Sequence, residues 1–260
     1  MNIPEDCMPK VWSFGCSHTH GTELGVGKHI DVEKWMKQNA GTKDFWSLSQ
    51  KKRSEVAQEW TQLLEILYNT TNLEREEEEL SYSGQLAKLL GYELRNCAIR
   101  GSGADRSLFE IIVNQEKNID WDNDIVLVGY THIYRWMYNE NAYDGNRNLN
   151  WMEHHKDKDM RQAHKVLVTQ GPCDFTWSAF NAGIYHLLKV HYPKILFIDT
   201  VNITNTFLPG DFLKKIRYND YTLEDFADNK GDKYPQGHYK EYTHVKLAQH
   251  IYGKLNDKTA

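Results

Sequence analysis

Four short segments, at residues 11–14, 92–97, 124–129 and 194–199, read as strands. The strongest is Asp124-Ile125-Val126-Leu127-Val128-Gly129, whose unbroken branched apolar run suits a central parallel strand buried on both faces. Between them lie longer segments with apolar residues at helical spacing. Residues 54–68 carry Val56, Trp60, Leu63, Leu64 and Leu67 on one stripe, and 175–191 carry Phe180, Ile184, Leu187 and Leu188. Residues 81–91 have Ser81 to cap free N–H groups, Leu86, Leu89 and Leu90 to bury, and Gly91 to stop the helix. Shorter helices are predicted at 32–38 and 107–114, and a last one carries Val245, Leu247, Ala248 and Ile251. The order β-α-β-α-β-α-β predicts an α/β fold, a three-layer α/β/α sandwich with a mainly parallel central sheet. Two stretches fit no βα unit, at about 26–80 and 138–173. They read as insertions into one domain spanning 1–260. The acidic run at 74–79 is expected to be a solvated face.

Charge narrows the functions little. The 260 residues include 36 acidic and 31 basic side chains, a net charge of −5, which offers no electrostatic argument for a nucleic-acid or anionic-membrane partner. Met1-Asn2-Ile3-Pro4-Glu5-Asp6 lacks the basic and apolar regions of a signal peptide, and no apolar run approaches bilayer length. Cys7, Cys16, Cys97 and Cys173 have neither metal-finger spacing nor a dense disulfide pattern. The expected location is therefore the cytoplasm.

The strand ends carry the chemistry. The first strand breaks at Gly15, and Ser17 follows where open α/β sheets keep their ligand crevice. The second runs into Arg100-Gly101-Ser102-Gly103, a turn able to offer backbone N–H groups to an anion. The third ends in Gly129-Tyr130-Thr131, with Arg135 close behind as an anion or carbohydrate contact. Near the C-terminus, Pro235-Gln236-Gly237-His238 places a histidine in a loop before the last helix, while His244 reads as a packing residue or one that supports the site from behind. His154, His155 and His164 have no carboxylate or cysteine pattern to complete a ligand set, so no metal is expected.

In this order the blocks resemble the SGNH (GDSL-like) hydrolase family, in particular its divergent phage and bacterial members. Phe14-Gly15-Cys16-Ser17-His18-Thr19 is the most specific match, followed by Asn96-Cys97-Ala98-Ile99-Arg100-Gly101-Ser102, Gly129-Tyr130-Thr131 and the stretch from Gly237-His238 to His244. The resemblance implies a flavodoxin-like sheet and a serine esterase or acyl hydrolase without cofactor. Ser17 matches the nucleophile and His238 the base. Gly101 matches the oxyanion glycine, acting with the Ser17 N–H. Two positions depart from the pattern. Thr131 stands where the family has an oxyanion asparagine, and Pro235 where it has an aspartate three residues before the histidine. Asp232, or failing that Asp228, or otherwise a backbone carbonyl, is expected to orient His238 instead. His18 and Arg135 are expected at the substrate, a small or carbohydrate-linked ester. Two alternatives stay open: a degenerate carbohydrate-binding or structural protein on the same fold, and an acyltransferase.

Overall fold

Apolar side chains on both faces of β1 (Lys10–Phe14) dictate a buried strand, and β1 is hydrogen-bonded on both edges. The computed structural model describes residues 8–42, 45–100, 102–130, 135–137, 146–148, 174–200, 220–228 and 233–257. One neighbour of β1 is β2 (Glu93–Asn96) and the other is β3 (Ile125–Gly129); Val11 lies opposite Leu94 and Ile125. A short antiparallel pair, β4 (Arg135–Met137) and β5 (Asn146–Asn148), stands apart from this sheet. Beyond β3 come β6 (Leu196–Asp199) and then β7 (Tyr221–Thr222), giving a five-stranded sheet in the order β2-β1-β3-β6-β7. Every pairing in it is parallel. The fourth and fifth strands extend the sheet away from β2, so the chain reverses direction across the sheet between β1 and β3. Such a switch point opens a crevice beyond the carboxyl ends of its strands. Residues 15–17 follow β1 into it.

Period-two alternation splits the strand side chains between two cores. Trp12, Phe14, Val126, Val128 and Phe197 face one way, against Ala104, Ile111, Ile184 and Leu188. Those partners come from α7 (Ala104–Phe109) with the π-helical turn that continues it (Glu110–Gln115), and from α8 (Asp174–His191). Val11, Leu127 and Ile198 face the other way, against Tyr82, Leu86, Leu247, Ala248 and Ile251. These belong to α6 (Tyr82–Leu90) and α9 (Glu241–Asp257). Each fully buried Val, Leu, Ile or Phe contributes roughly 1.5–3 kcal/mol, so both helical layers are held firmly. The fold is therefore the expected α/β sandwich with a parallel central sheet, β3 at its centre. Its fifth strand, only two residues long, carried no readable pattern.

The first insertion is helical. After α1 (Ser17–His20) come α2 (Val26–His29), α3 (Val32–Ala40), α4 (Gln50–Thr70) and α5 (Leu73–Leu80). The α4 helix starts four residues before the expected point because Ser49 caps it, accepting from the Lys52 N–H. Leu24, Val26, Trp60, Leu64, Leu67 and Leu73 form a separate apolar cluster that also takes in Tyr234. The insertion thus packs on the loop that precedes α9. One expectation is corrected here. The acidic run 74–79 is not simply a solvated face: it lies in α5, and Glu77 is fully buried. The second insertion falls outside the described residues, apart from three residues of backbone in β5. Among the described residues no helix is long and apolar enough to cross a membrane.

Candidate active site

The serine loop is shaped by one threonine between two glycines. A Cβ built on Gly15 or Gly129 would overlap the Oγ1 of Thr19. Thr19 therefore wedges between the ends of β1 and β3, and only glycine tolerates it at both strand ends. Gly15 also has φ +148°, in the region side chains avoid. Behind this turn α1 closes on Cys16, whose carbonyl accepts from the N–H groups of Thr19 (3.0 Å) and His20 (2.9 Å). Cys16 is fully buried. The Gly15 carbonyl in turn accepts from Ile99 N (2.9 Å) and Ser102 Oγ (2.6 Å), which ties the turn after β2 to the serine loop.

The histidine loop is set by a turn. Pro235 follows Tyr234, whose carbonyl accepts from the Gly237 N–H at 2.8 Å. Proline suits that second turn position because its φ is preset. Gly237 has φ +93°, and the chain then turns into the crevice at His238. There His238 Nε2 lies 2.9 Å from Ser17 Oγ. On the other side of the ring, His238 Nδ1 lies 2.5 Å from Glu23 Oε2. A carboxylate only accepts, so Nδ1 carries the proton and Nε2 is left to accept from the serine hydroxyl. His18 packs beside His238, ring centroids 4.5 Å apart.

Glu23 was not singled out from the sequence, although it lies only six positions beyond Ser17. It is fully buried, and its second oxygen, Oε1, accepts from Trp60 Nε1 and from the Gln236 N–H at 3.2 Å. Its backbone has φ +72°, the one described non-glycine residue in that region. Such a conformation costs on the order of 1–3 kcal/mol and persists only where surroundings impose it. The imposing contacts are visible. The Glu23 N–H donates to Glu77 Oε1 at 2.6 Å, and one residue beyond Leu24 the Gly25 N–H donates to Glu241 Oε1 at 2.8 Å. Glu241, in the first turn of α9, also accepts from the Tyr234 hydroxyl at 2.8 and 3.0 Å. One carboxylate thereby clamps the loop of Glu23 to the loop of His238.

The other expected residues are distributed as follows. Gly101, Thr131 and Asp232 lie outside the described residues, and of Arg135 only the backbone in β4 is described. Asp228 is at the surface with its carboxylate on Lys246 of α9. Two further histidines are buried near His238 and held neutral. His20 is lowered to about 4 by burial, helped by the charges of Arg100 and His238. His244 is lowered to about 3 by burial, with His238 a lesser cause; its Nδ1 accepts from the Tyr82 N–H at 3.1 Å at the start of α6. His244 is thus the packing residue the sequence suggested. Among the described residues no three His, Cys, Asp or Glu side chains are grouped as metal ligands. His154, His155 and His164 lie outside the described residues.

No protein-family model matches the chain, and no curated protein matches it. Solved structures do. One is a carbohydrate esterase whose active site is described as displaying divergent catalytic and non-catalytic binding functions. It matches 99% of this chain and 66% of its own at 13% identity, with TM-score 0.45. A second is a carbohydrate esterase family 2 enzyme plus carbohydrate binding domain from Corynascus thermopiles (Myceliophthora fergusii), covering 95% of this chain and 65% of its own at 12% identity and TM-score 0.45. A third is a family two carbohydrate esterase from Clostridium thermocellum in complex with cellohexaose, covering 100% and 67% at 12% identity and TM-score 0.42. The chain spans about two thirds of the length of each.

Proposed function

We propose that the chain is a serine hydrolase of esters, with Ser17 as nucleophile, His238 as general base and Glu23 as the carboxylate that orients the base. The observation that carries this is the continuous contact Ser17 Oγ–His238 Nε2 and His238 Nδ1–Glu23 Oε2, at 2.9 and 2.5 Å, beyond the carboxyl end of β1. A hydroxyl, an imidazole and a buried carboxylate in that order are what nucleophile activation requires. Burial makes an accidental arrangement expensive, since an unpaired carboxylate in the interior costs several kcal/mol.

His238 Nε2 takes the Ser17 proton as Oγ attacks the ester carbonyl. The tetrahedral oxyanion is received by the N–H groups of Ser17 and Gly101, with the Thr131 hydroxyl as a third donor. These assignments follow the family resemblance. The intermediate collapses, and the departing alcohol takes the proton from Nε2. Water then gives a proton to His238, attacks the acyl-enzyme, and releases the acid and free Ser17. Glu23 holds the proton of Nδ1 throughout and stabilises the imidazolium.

A carbohydrate ester is the favoured substrate. Trp46, 42% exposed, belongs to the first insertion and packs beside Gly237, the residue before His238. A partly exposed indole beside the loop of the base, with the Arg53 guanidinium 5.7 Å from its ring centroid, suits the apolar face of a sugar ring. Arg135 and His18 are proposed as further substrate contacts.

The test is a panel of aryl acetates, aryl butyrates and acetylated xylo- and cello-oligosaccharides, with wild type beside Ser17→Ala. Turnover should fall at least 1000-fold in the variant, with the melting temperature within about 2 °C, because a loop hydroxyl contributes little packing. A fluorophosphonate should add to Ser17 of wild type, read by peptide mass. Equal turnover in the two proteins would overturn the proposal.

A further inference from the structure

Glu77 is the least expected charge in the molecule. It sits inside a run of glutamates on α5 of which others face solvent: the side chains of Glu74 and Glu79 are 72% and 57% exposed, that of Glu77 not at all. Both of its oxygens are engaged. Oε1 accepts from the Glu23 N–H at 2.6 Å and from the Tyr68 hydroxyl at 2.7 Å. Oε2 accepts from Arg100 Nη2 at 2.5 Å and lies 3.8 Å from His20 Nδ1. The Arg100 guanidinium also stacks on the Tyr68 ring, 4.5 Å from its centroid.

The two oxygens serve two different loops. Through Oε1, Glu77 grips the amide of the residue whose carboxylate faces the base, and that residue is held at φ +72°. Glycine would adopt this backbone freely but has no carboxylate to offer. A glutamate here must be forced into place, and the buried acceptor is the agent at hand. Through Oε2, Glu77 holds Arg100, one residue before Gly101. That turn is also tied to the serine loop, where the Gly15 carbonyl accepts from Ile99 N and Ser102 Oγ.

We infer that Glu77 is a positioning residue: it fixes the left-handed backbone of Glu23 and, through Arg100, the turn that leads into Gly101, so that both loops keep one register relative to Ser17. The inference rests on the hydrolase reading of Ser17, His238 and Glu23. Burial pushes the Glu77 carboxyl up, opposed first by the charge of Arg100 and then by the Tyr68 and Glu23 donors. The Arg100 pairing therefore matters to the charge as well as to the geometry.

The experiment uses the full chain and two readouts. One is the low-field proton resonance expected of His238 Nδ1–H against Glu23, assigned by its loss in His238→Gln. The other is the division between kcat and KM on an aryl acetate. Glu77→Met removes the acceptor for the Glu23 N–H. It should abolish the resonance or shift it upfield and lower kcat about 100-fold or more, with KM within about threefold. Glu77→Gln keeps a carbonyl for Glu23 and Tyr68 but turns an amide toward Arg100. It should retain the resonance and lose about tenfold in kcat. Glu79→Gln, on the exposed side of the same helix, should match wild type in both readouts. If Glu77→Met does not fold, Glu77→Asp, with its carboxylate drawn back by one methylene, must show the same loss in smaller degree. A folded Glu77→Met or Glu77→Asp with wild-type resonance and kcat overturns the inference. Should wild type hydrolyse no ester, the hydrolase reading fails on its own, and the resonance still decides whether Glu77 places Glu23.

Discussion

Replacing Glu23 by glutamine is the sharpest test of the acid's role, because the surroundings dictate which way the amide must lie. Glu23 Oε1 accepts two donors, Trp60 Nε1 and the Gln236 N–H. A glutamine keeps these only by presenting its carbonyl oxygen to them. Its NH2 group must then face His238 Nδ1, 2.5 Å away in the wild type. Two donors cannot meet at that distance, so Nδ1 gives up its proton and becomes the acceptor. The proton moves to Nε2, which then donates to Ser17 and no longer accepts from it. The base is thus held in the wrong tautomer while every heavy atom stays almost in place. In serine proteases the same change at the triad acid lowers kcat by about four orders of magnitude. Three to four orders are expected here, or about 4–5 kcal/mol of transition-state stabilisation. The substitution is isosteric and satisfies both donors, so the melting temperature should move by only a few degrees. The assay is kcat on an aryl acetate, with Ser17→Ala as the floor. A Glu23→Gln enzyme within tenfold of wild type would refute the reasoning and return the orienting role to a carboxylate elsewhere, Asp232 first.

Other consequences are independent of this one. Gly129→Ala should destabilise the protein by several kcal/mol, since its methyl would overlap Thr19 Oγ1, and Thr19→Ala in the same chain should recover part of the loss; no recovery in chemical denaturation would remove Thr19 from the account of the turn. Trp46→Ala should raise KM for acetylated oligosaccharides at least fivefold and leave aryl acetate almost unaffected; equal effects on both would remove the carbohydrate reading of Trp46. Stability should fall in mild acid: His20 and His244 are lowered to about 4 and about 3 in the fold, whereas the unfolded chain protonates them near 6.5, so stability is lost as pH drops from about 6.5 toward 4. Between pH 7 and 5 each contributes roughly 2 kcal/mol of that loss. Glu77, raised by burial, works in the opposite direction, so the measurement is a difference: His244→Gln should show a drop smaller by roughly 2 kcal/mol, and an unchanged drop would contradict the burial of a neutral His244.

Much of the fold was legible because its signals are local. A run such as Ile125 to Val128 has few other uses, and Ser81 with Gly91 marks both ends of a helix. Ser17 and His238 were legible for a related reason, since a turn glycine before a polar residue at a strand or helix end is itself a sequence feature. Glu23 was not. It lies in Gly21-Thr22-Glu23-Leu24-Gly25, which reads as an ordinary polar loop, and what makes it special is a ring more than two hundred positions away. Glu77 had a usable signal that was overlooked. Leu73, Glu77 and Leu80 share one helical stripe, so the period that buries the two leucines also turns Glu77 inward. Charge composition alone pointed to solvent, and the helical period overrode it.

In the proposed reading the acid sits in the serine's own loop, and this changes what the rest of the chain must do. Where a carboxylate lies three residues before the histidine, acid and base travel together and the serine must be brought to them. Here Ser17 and Glu23 are joined by α1 and one turn, so their spacing is set within a few residues whatever the C-terminal loop does. The histidine alone has to dock. Its loop needs no carboxylate of its own, which frees position 235 for the proline that shapes the turn. Docking then requires a separate tether, and Glu241 supplies it, taking Gly25 N–H from the serine side and the Tyr234 hydroxyl from the histidine side. The first insertion completes the arrangement. Trp60 and Glu77 come from α4 and α5 and hold Glu23 by side chain and by backbone, while Tyr234 packs into the same apolar cluster. A buried carboxylate at the tip of a left-handed turn would not persist without such support. The insertion therefore supplies the scaffold that holds Glu23, and it cannot be trimmed away without displacing that residue.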